Sequence, residues 1–189
     1  MRKNSELRAI ARSQLQGSWL AAVLIMLVFC GIIFASGFVV IGPWIVGGPL
    51  TLGLISYFVK KAKGEPAELE NLFDGFKLSF GPSVLLYLLQ NIFIALWSLL
   101  FIIPGIVKSL SYSMAFFILR DNPGIEATDA ITRSRKMMVG YKGKLFVLHL
   151  SFLGWGLLCI LTLGIGLLWL CPYMYLSIAH FYEDLKEKN

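Results

Sequence analysis

Residues 82–119 read PSVLLYLLQNIFIALWSLLFIIPGIVKSLSYSMAFFIL. One helical pass needs about 20 residues to cross ~30 Å of hydrocarbon, and this run is close to twice that length. Pro104 and Gly105 stand past its middle. Proline removes a backbone donor and glycine relaxes the backbone, so the pair predicts a tight hairpin tip. Two blocks of similar design flank this one. Residues 18–59 carry Gly42-Pro43 near their centre, and residues 145–182 carry Gly164-Ile165-Gly166. Three hairpins predict about six transmembrane helices and an all-α membrane fold, in a single integral membrane domain over 1–189.

Composition points the same way. Of 189 residues, 57% are hydrophobic and 15% are charged, against ~45–50% and ~25% in a soluble domain. The mean hydropathy is +0.74. One small core cannot absorb that much apolar surface, so lipid must solvate much of it. The net charge of +6 falls on residues that flank the apolar blocks. That placement fits anionic lipid headgroups at the cytoplasmic face, and no nucleic acid is expected. Cys30, Cys159 and Cys171 lie within apolar runs at no metal or redox spacing and read as small apolar filler. The basic stretch 1–19 precedes an apolar run from Leu20 to Val40. That run exceeds the ~7–15 residues of a secretory signal, so it reads as a retained span.

The charges also set the orientation. Arg2, Lys3, Arg8 and Arg12 precede the first block; Lys60, Lys61, Lys63 and Lys77 follow it. Arg120, Arg133, Arg135, Lys136, Lys142 and Lys144 separate the second and third, and Lys186 and Lys188 close the chain. Cytoplasmic loops are enriched in Lys and Arg, which predicts a multi-pass protein of the cell membrane with cytoplasmic N- and C-termini. Lys108 alone departs from the pattern.

An amphipathic segment precedes each hairpin. Residues 5–16 place Leu7, Ile10, Ala11 and Leu15 on one face. Residues 68–80 space Leu69, Leu72, Phe73, Phe76 and Phe80 as a helix would. Residues 123–138 gather Ala127, Ala130, Ile131, Ser134 and Met138, with Glu126, Asp129, Arg133 and Lys136 opposite. Asn122-Pro123 suits a helix start, since Asn caps and Pro fits the first turn. Such helices are expected to lie in the membrane surface, apolar face down. Surface helix, span, breaker, span then recurs three times, giving parallel pseudo-repeats near 5–62, 68–120 and 123–184. Gly17, Gly81 and Gly140 mark the three entries into the spans.

Few polar groups fall inside the spans. Gln90 and Asn91 lie mid-helix, where buried amides either join helices or contact a ligand. Lys108 either snorkels to the outer interface or binds an anionic group. Ser109, Ser111, Tyr112 and Ser113 make its surroundings polar. The candidate binding residues are therefore Lys108, Gln90, Asn91 and Tyr112. His180 precedes Glu183 and Asp184 by one turn, but metal sites usually take three or four ligands, and carboxylates at a water interface are ordinary. No HExxH, GxSxG, phosphate-binding loop or paired intramembrane aspartate is present, so no enzyme activity, cofactor or metal is expected. None of the 11 acidic residues lies within an expected span, which argues against ion-coupled transport.

Several stretches together resemble a known family: Leu72-Phe-Asp-Gly-Phe-Lys77, Phe101-Ile-Ile-Pro-Gly-Ile-Val-Lys108, Ser111-Tyr-Ser-Met114, Asp121-Asn-Pro123, Ala130-Ile-Thr-Arg-Ser-Arg-Lys-Met-Met138, Leu150-Ser-Phe-Leu-Gly-Trp155, and Pro172-Tyr173 with Phe181-Tyr-Glu183. The pattern resembles the bacterial integral membrane family known as domain of unknown function 975. That resemblance implies a multi-pass fold and a bacterial membrane, and no site roles. Two functions remain open. One is a non-catalytic protein that binds lipid or a protein partner through its surface helices. The other is a small transporter or lipid- or peptide-handling protein with a polar site in the bundle.

Overall fold

Backbone groups in hydrocarbon have no water to bond, so an apolar block must close its hydrogen bonds internally, as a helix does. The computed structural model describes residues 1–38 and 41–188, with Leu100 by its backbone alone, and it is all-α among them. The elements are α1 (Asn4–Leu15), α2 (Trp19–Ser36), α3 (Gly42–Ala62), a 3-10 turn (Leu69–Phe73), α4 (Asp74–Leu78), α5 (Phe80–Leu100), α6 (Ile102–Tyr112), α7 (Ala115–Asp121), α8 (Ala127–Met137), α9 (Lys142–Leu161) and α10 (Leu167–Lys186).

Five stretches are long and apolar enough to cross a membrane: Trp19–Ser36, Gly42–Ala62, Phe80–Leu99, Ile102–Asp121 and Lys142–Leu161. α10 is not among them. It has the length, but its second half carries His180, Glu183, Asp184 and Lys186. The expected six spans thus become five apolar ones and a sixth helix with a polar half.

Two hairpin tips fall earlier than expected. Gly42-Pro43 opens α3 instead of forming the turn, with Pro43 in the first helical turn. Pro104-Gly105 likewise lies in the first turns of α6, and the chain reverses at the extended residue Phe101. Proline suits a helix start because its missing N–H is unpaired there anyway. The third tip holds Gly164, whose φ of +86° only glycine adopts without cost. Gly17 and Gly140 also turn left-handed, but Gly81 is an ordinary residue of α5. Asn122-Pro123 forms a turn closed by Ile125 N–H to Asn122 C=O, 3.0 Å; α8 begins later, at Ala127.

The amphipathic segments are also placed differently. Leu7, Ala11 and Leu15 of α1 are fully buried, as are Ala130 of α8 and Met138 just past its end. α1 packs on α10, α3 and α9, and α8 packs on α7, α5 and α6. Burial against protein consumes the faces expected to lie on lipid. The middle segment differs again: a 3-10 turn leads into a short helix, with Leu72 buried and Leu69, Phe73 and Phe80 exposed.

α3 is the centre of the bundle, packed by α2, α4, α5, α7 and α10. Its glycines allow this. A Cβ on Gly48 would overlap the backbone of Ser83, and one on Gly53 the backbone of Leu72. Gly75 of α4 meets the Pro49 backbone in the same way. Backbone cannot yield as a flexible side chain does, so Gly53→Ala should lower the unfolding free energy by at least about 1–3 kcal/mol. Gly81→Ala, where nothing stands near the added carbon, should be neutral or slightly stabilising. Thermal unfolding in detergent checks both, and equal melting temperatures would refute the close-approach argument.

Candidate functional site

A cavity of about 420 Å³ lies among the helices. Its polar lining comes from five places in the chain: Thr51 of α3, Gln90 and Asn91 of α5, Ser113 at the α6–α7 junction, His149 of α9 and Tyr175 of α10. Gln90 Nε2 donates to the Tyr112 carbonyl at 2.7 Å, joining α5 to α6. Asn91 Nδ2 donates one turn back to the Tyr87 carbonyl at 2.8 Å. Among the described residues no protein donor reaches either amide oxygen. His149 Nδ1 stands 2.9 Å from the Leu145 carbonyl. A carbonyl only accepts, so Nδ1 donates; in that tautomer Nε2 faces away from the Leu145 bond. No charged side chain lines the cavity. It therefore offers hydrogen bonds without a fixed charge.

Of the four expected site residues, the structure brings Gln90 and Asn91 to this cavity. Tyr112 supports it from behind: the side chain is buried, its ring lies 6.2 Å from Phe93, and its carbonyl holds Gln90. Lys108 stands apart, its ammonium 4.4 Å from the Trp97 ring centroid. Thr51, Ser113, His149 and Tyr175 complete the cavity's polar lining; their partners come from other helices, so sequence spacing alone does not bring them together.

A larger hollow of about 550 Å³ lies on another side of α9, lined by α1, the start of α2, α9 and α10. Arg8 and Arg12 project from α1 into it, and Trp19, Trp155, Trp169 and Tyr173 form much of the wall. Trp19 and Trp155, the nearest members of the two parts of this lining, stand far apart in the chain, so spacing gave no signal for it.

The chain ends are tied into a polar belt. Asp184 accepts the Arg2 backbone N–H and Nε–H, each at 2.7 Å, and also Arg2 Nη2. That bonding raises the Arg2 guanidinium above its ordinary value. Lys144 Nζ donates to the Arg2 carbonyl at 2.5 Å. Asp121 accepts Tyr182 Oη at 2.9 Å and Lys186 Nζ at 2.5 Å. His180 Nε2 lies 2.8 Å from Gln14 Oε1. The His180, Glu183 and Asp184 of α10 are thus engaged with three different partners, Gln14, Lys63 and Arg2. Among the described residues no group of three His, Cys, Asp or Glu side chains is placed to hold a metal.

These features define an all-α, multi-pass membrane protein with cavities between its helices. The family described as "Protein of unknown function (DUF975)" matches residues 1–109 and 102–189, which together take in the whole chain; the chain belongs to that family. No curated protein and no solved structure matches it.

Among the described residues the Lys108 ammonium contacts the Trp97 ring, so Lys108→Met removes a cation–π pair of about 0.5–1 kcal/mol at exposed sites. The unfolding free energy should fall by no more than that, measured by denaturant titration in mixed micelles. A larger loss would mean that Lys108 holds the bundle together.

Proposed function

We propose that this protein is a non-catalytic, ligand-holding component of a bacterial cell membrane, with both termini in the cytoplasm. The ligand is an uncharged hydrogen-bonding molecule or the uncharged polar head of a lipid. The observation that carries the reading is the cavity at Gln90, Asn91 and His149, with acceptors left open and no charged side chain in its lining. An ionic ligand in hydrocarbon needs a counter-charge, and that lining supplies none. Binding through the apolar faces of α1 and α8 has less support, because those faces are already buried in the protein's own core. The cytoplasmic assignment rests on the Lys and Arg excess in the segments at the end of the bundle that carries both termini.

Purification from native membranes with mass spectrometry of co-purifying small molecules and lipids tests the cavity. The wild type should retain an uncharged species that Asn91→Leu and His149→Leu lose at unchanged melting temperature. Equal retention in folded variants would overturn the reading. Topology has its own test, in a background with the three cysteines replaced by alanine. A membrane-impermeant maleimide added to intact cells should label Leu163→Cys at a hairpin tip and spare Gly64→Cys; the reverse pattern would invert the protein.

A further inference from the structure

We propose that the groove between α1, α9 and α10 is a second, separate site, which binds an anionic phospholipid. Its phosphate sits at Arg8 and Arg12 and its acyl chain lies along the tryptophan wall. Four observations converge on that occupant.

The first is unmatched charge. Arg2, Lys60, Lys63, Arg120 and Lys186 each stand within 4.0 Å of a carboxylate. Arg8 and Arg12 are in no ion pair among the described residues, and the Arg8 Nε is buried without a hydrogen-bond partner. A buried donor left without a partner costs about 1–3 kcal/mol, and more when it is charged. An anion in the groove relieves that cost.

The second is geometry. Arg8 and Arg12 are four residues apart on α1, so they occupy one helix face. α1 itself is fixed: Leu7, Ala11 and Leu15 are fully buried, Arg2 holds Asp184 at one end, and Gln14 meets His180 at the other. The two guanidiniums are therefore presented on a rigid support. Their planar forks match phosphate oxygens two at a time, which an ammonium does not.

The third is the wall. Three of the chain's five tryptophans, Trp19, Trp155 and Trp169, line the groove. Trp155 and Trp169 remain about half exposed, so an acyl chain can cover them. Indoles favour the boundary between headgroup and hydrocarbon. Tyr173 continues the wall and lies close enough to feel the field of both arginines. Positive charge at one end with aromatic and aliphatic surface beyond it is complementary to an amphiphile. A free phosphate would leave the apolar wall uncovered.

The fourth is contrast. The cavity at Asn91 has no charge, whereas this groove has two cations and no carboxylate in its lining. The two hollows therefore select different chemistry, and either reading can fail without the other.

The test uses the full chain in detergent, titrated with phosphatidylglycerol or phosphatidylcholine of the same acyl chains and read by native mass spectrometry. The wild type should prefer the anionic lipid by about tenfold or more. Arg8→Gln with Arg12→Gln should reduce the preference to about twofold or less, while Arg133→Gln with Arg135→Gln on the exposed face of α8 should leave it intact. Each variant is first required to match the wild type in melting temperature. If the double variant melts early, Arg8→Lys with Arg12→Lys replaces it: loss of most of the preference supports fork-like recognition, and full retention overturns it. Phosphatidylglycerol brominated on its acyl chains should quench tryptophan fluorescence in the wild type more than in Trp155→Phe with Trp169→Phe. Equal quenching, or displacement of the lipid by millimolar inorganic phosphate, would overturn the acyl-chain half of the proposal. Equal affinity of the wild type for both lipids would overturn the whole.

Discussion

Backbone meets backbone at three points around α3, and the bundle depends on those contacts. Gly48 faces Ser83, Gly53 faces Leu72, and Gly75 faces Pro49. Helices in lipid gain nothing from hiding apolar surface, because lipid tails are as apolar as leucine; close approach through small residues supplies dispersion contact instead. Gly48 and Gly53 bring α3 against the start of α5 and the 3-10 turn, and Gly75 brings α4 against α3. With α3 fixed, Leu50, Leu54, Tyr57 and Phe58 become the interior against which α7 and α10 pack. The stacked rings of Phe58 and Tyr175, 5.6 Å apart, are one result of that placement.

α9 lies outside this arrangement, and both hollows border it. Gly154 and Gly156 have nothing within 4 Å of an added Cβ, so they mark no close approach of the kind made by Gly48 and Gly53. Its first turn is tied to the N-terminal segment, where Lys144 bonds to Arg2 and its carbonyl accepts from Asn4 at 3.0 Å; further along, Leu148, Phe152 and Cys159 are buried, with the Phe152 ring 5.1 Å from that of Tyr173. α9 packs on α10, α6 and α1, and room remains beside it on two sides. The cavity at His149 and the groove at Trp155 are those rooms.

Long apolar runs, their breakers and the one-sided basic residues made the helical membrane fold readable from the sequence, because each of these signals is local. Proline position is ambiguous in a sequence for a physical reason: a residue without an N–H is as comfortable in the first turn of a helix as in a turn, and Pro43 and Pro104 take the helical option. The fate of the amphipathic faces was also hidden. Lipid and a protein core both accept Leu7 and Ala11, so periodicity cannot choose between them. Gln90 and Asn91 were legible because an amide in hydrocarbon is anomalous by itself. Thr51 gains meaning only when tertiary packing joins it to Gln90, Asn91 and His149, and Arg8 and Arg12 read as ordinary interfacial charges in the sequence because the tryptophan wall beside them is built by tertiary packing.

The division of polar groups follows from the cost of charge in hydrocarbon. A buried ion without a partner is expensive, whereas a long Arg stem can carry its charge between regions of different polarity. Neutral amides and an imidazole can therefore line a cavity among the membrane helices, where their remaining hydrogen-bonding capacity costs little if water or a polar ligand enters. Arginines are tolerated only where a support at the membrane boundary can hold them, and α1 is that support. Its buried leucines, its clasp to Asp184 and its two guanidiniums, in no ion pair among the described residues, are parts of one arrangement: the helix is docked on its apolar face so that its basic face can point into the groove. An amphipathic helix lying loosely on lipid would turn its charges to water. Docked on the protein, α1 aims Arg8 and Arg12 at an occupant.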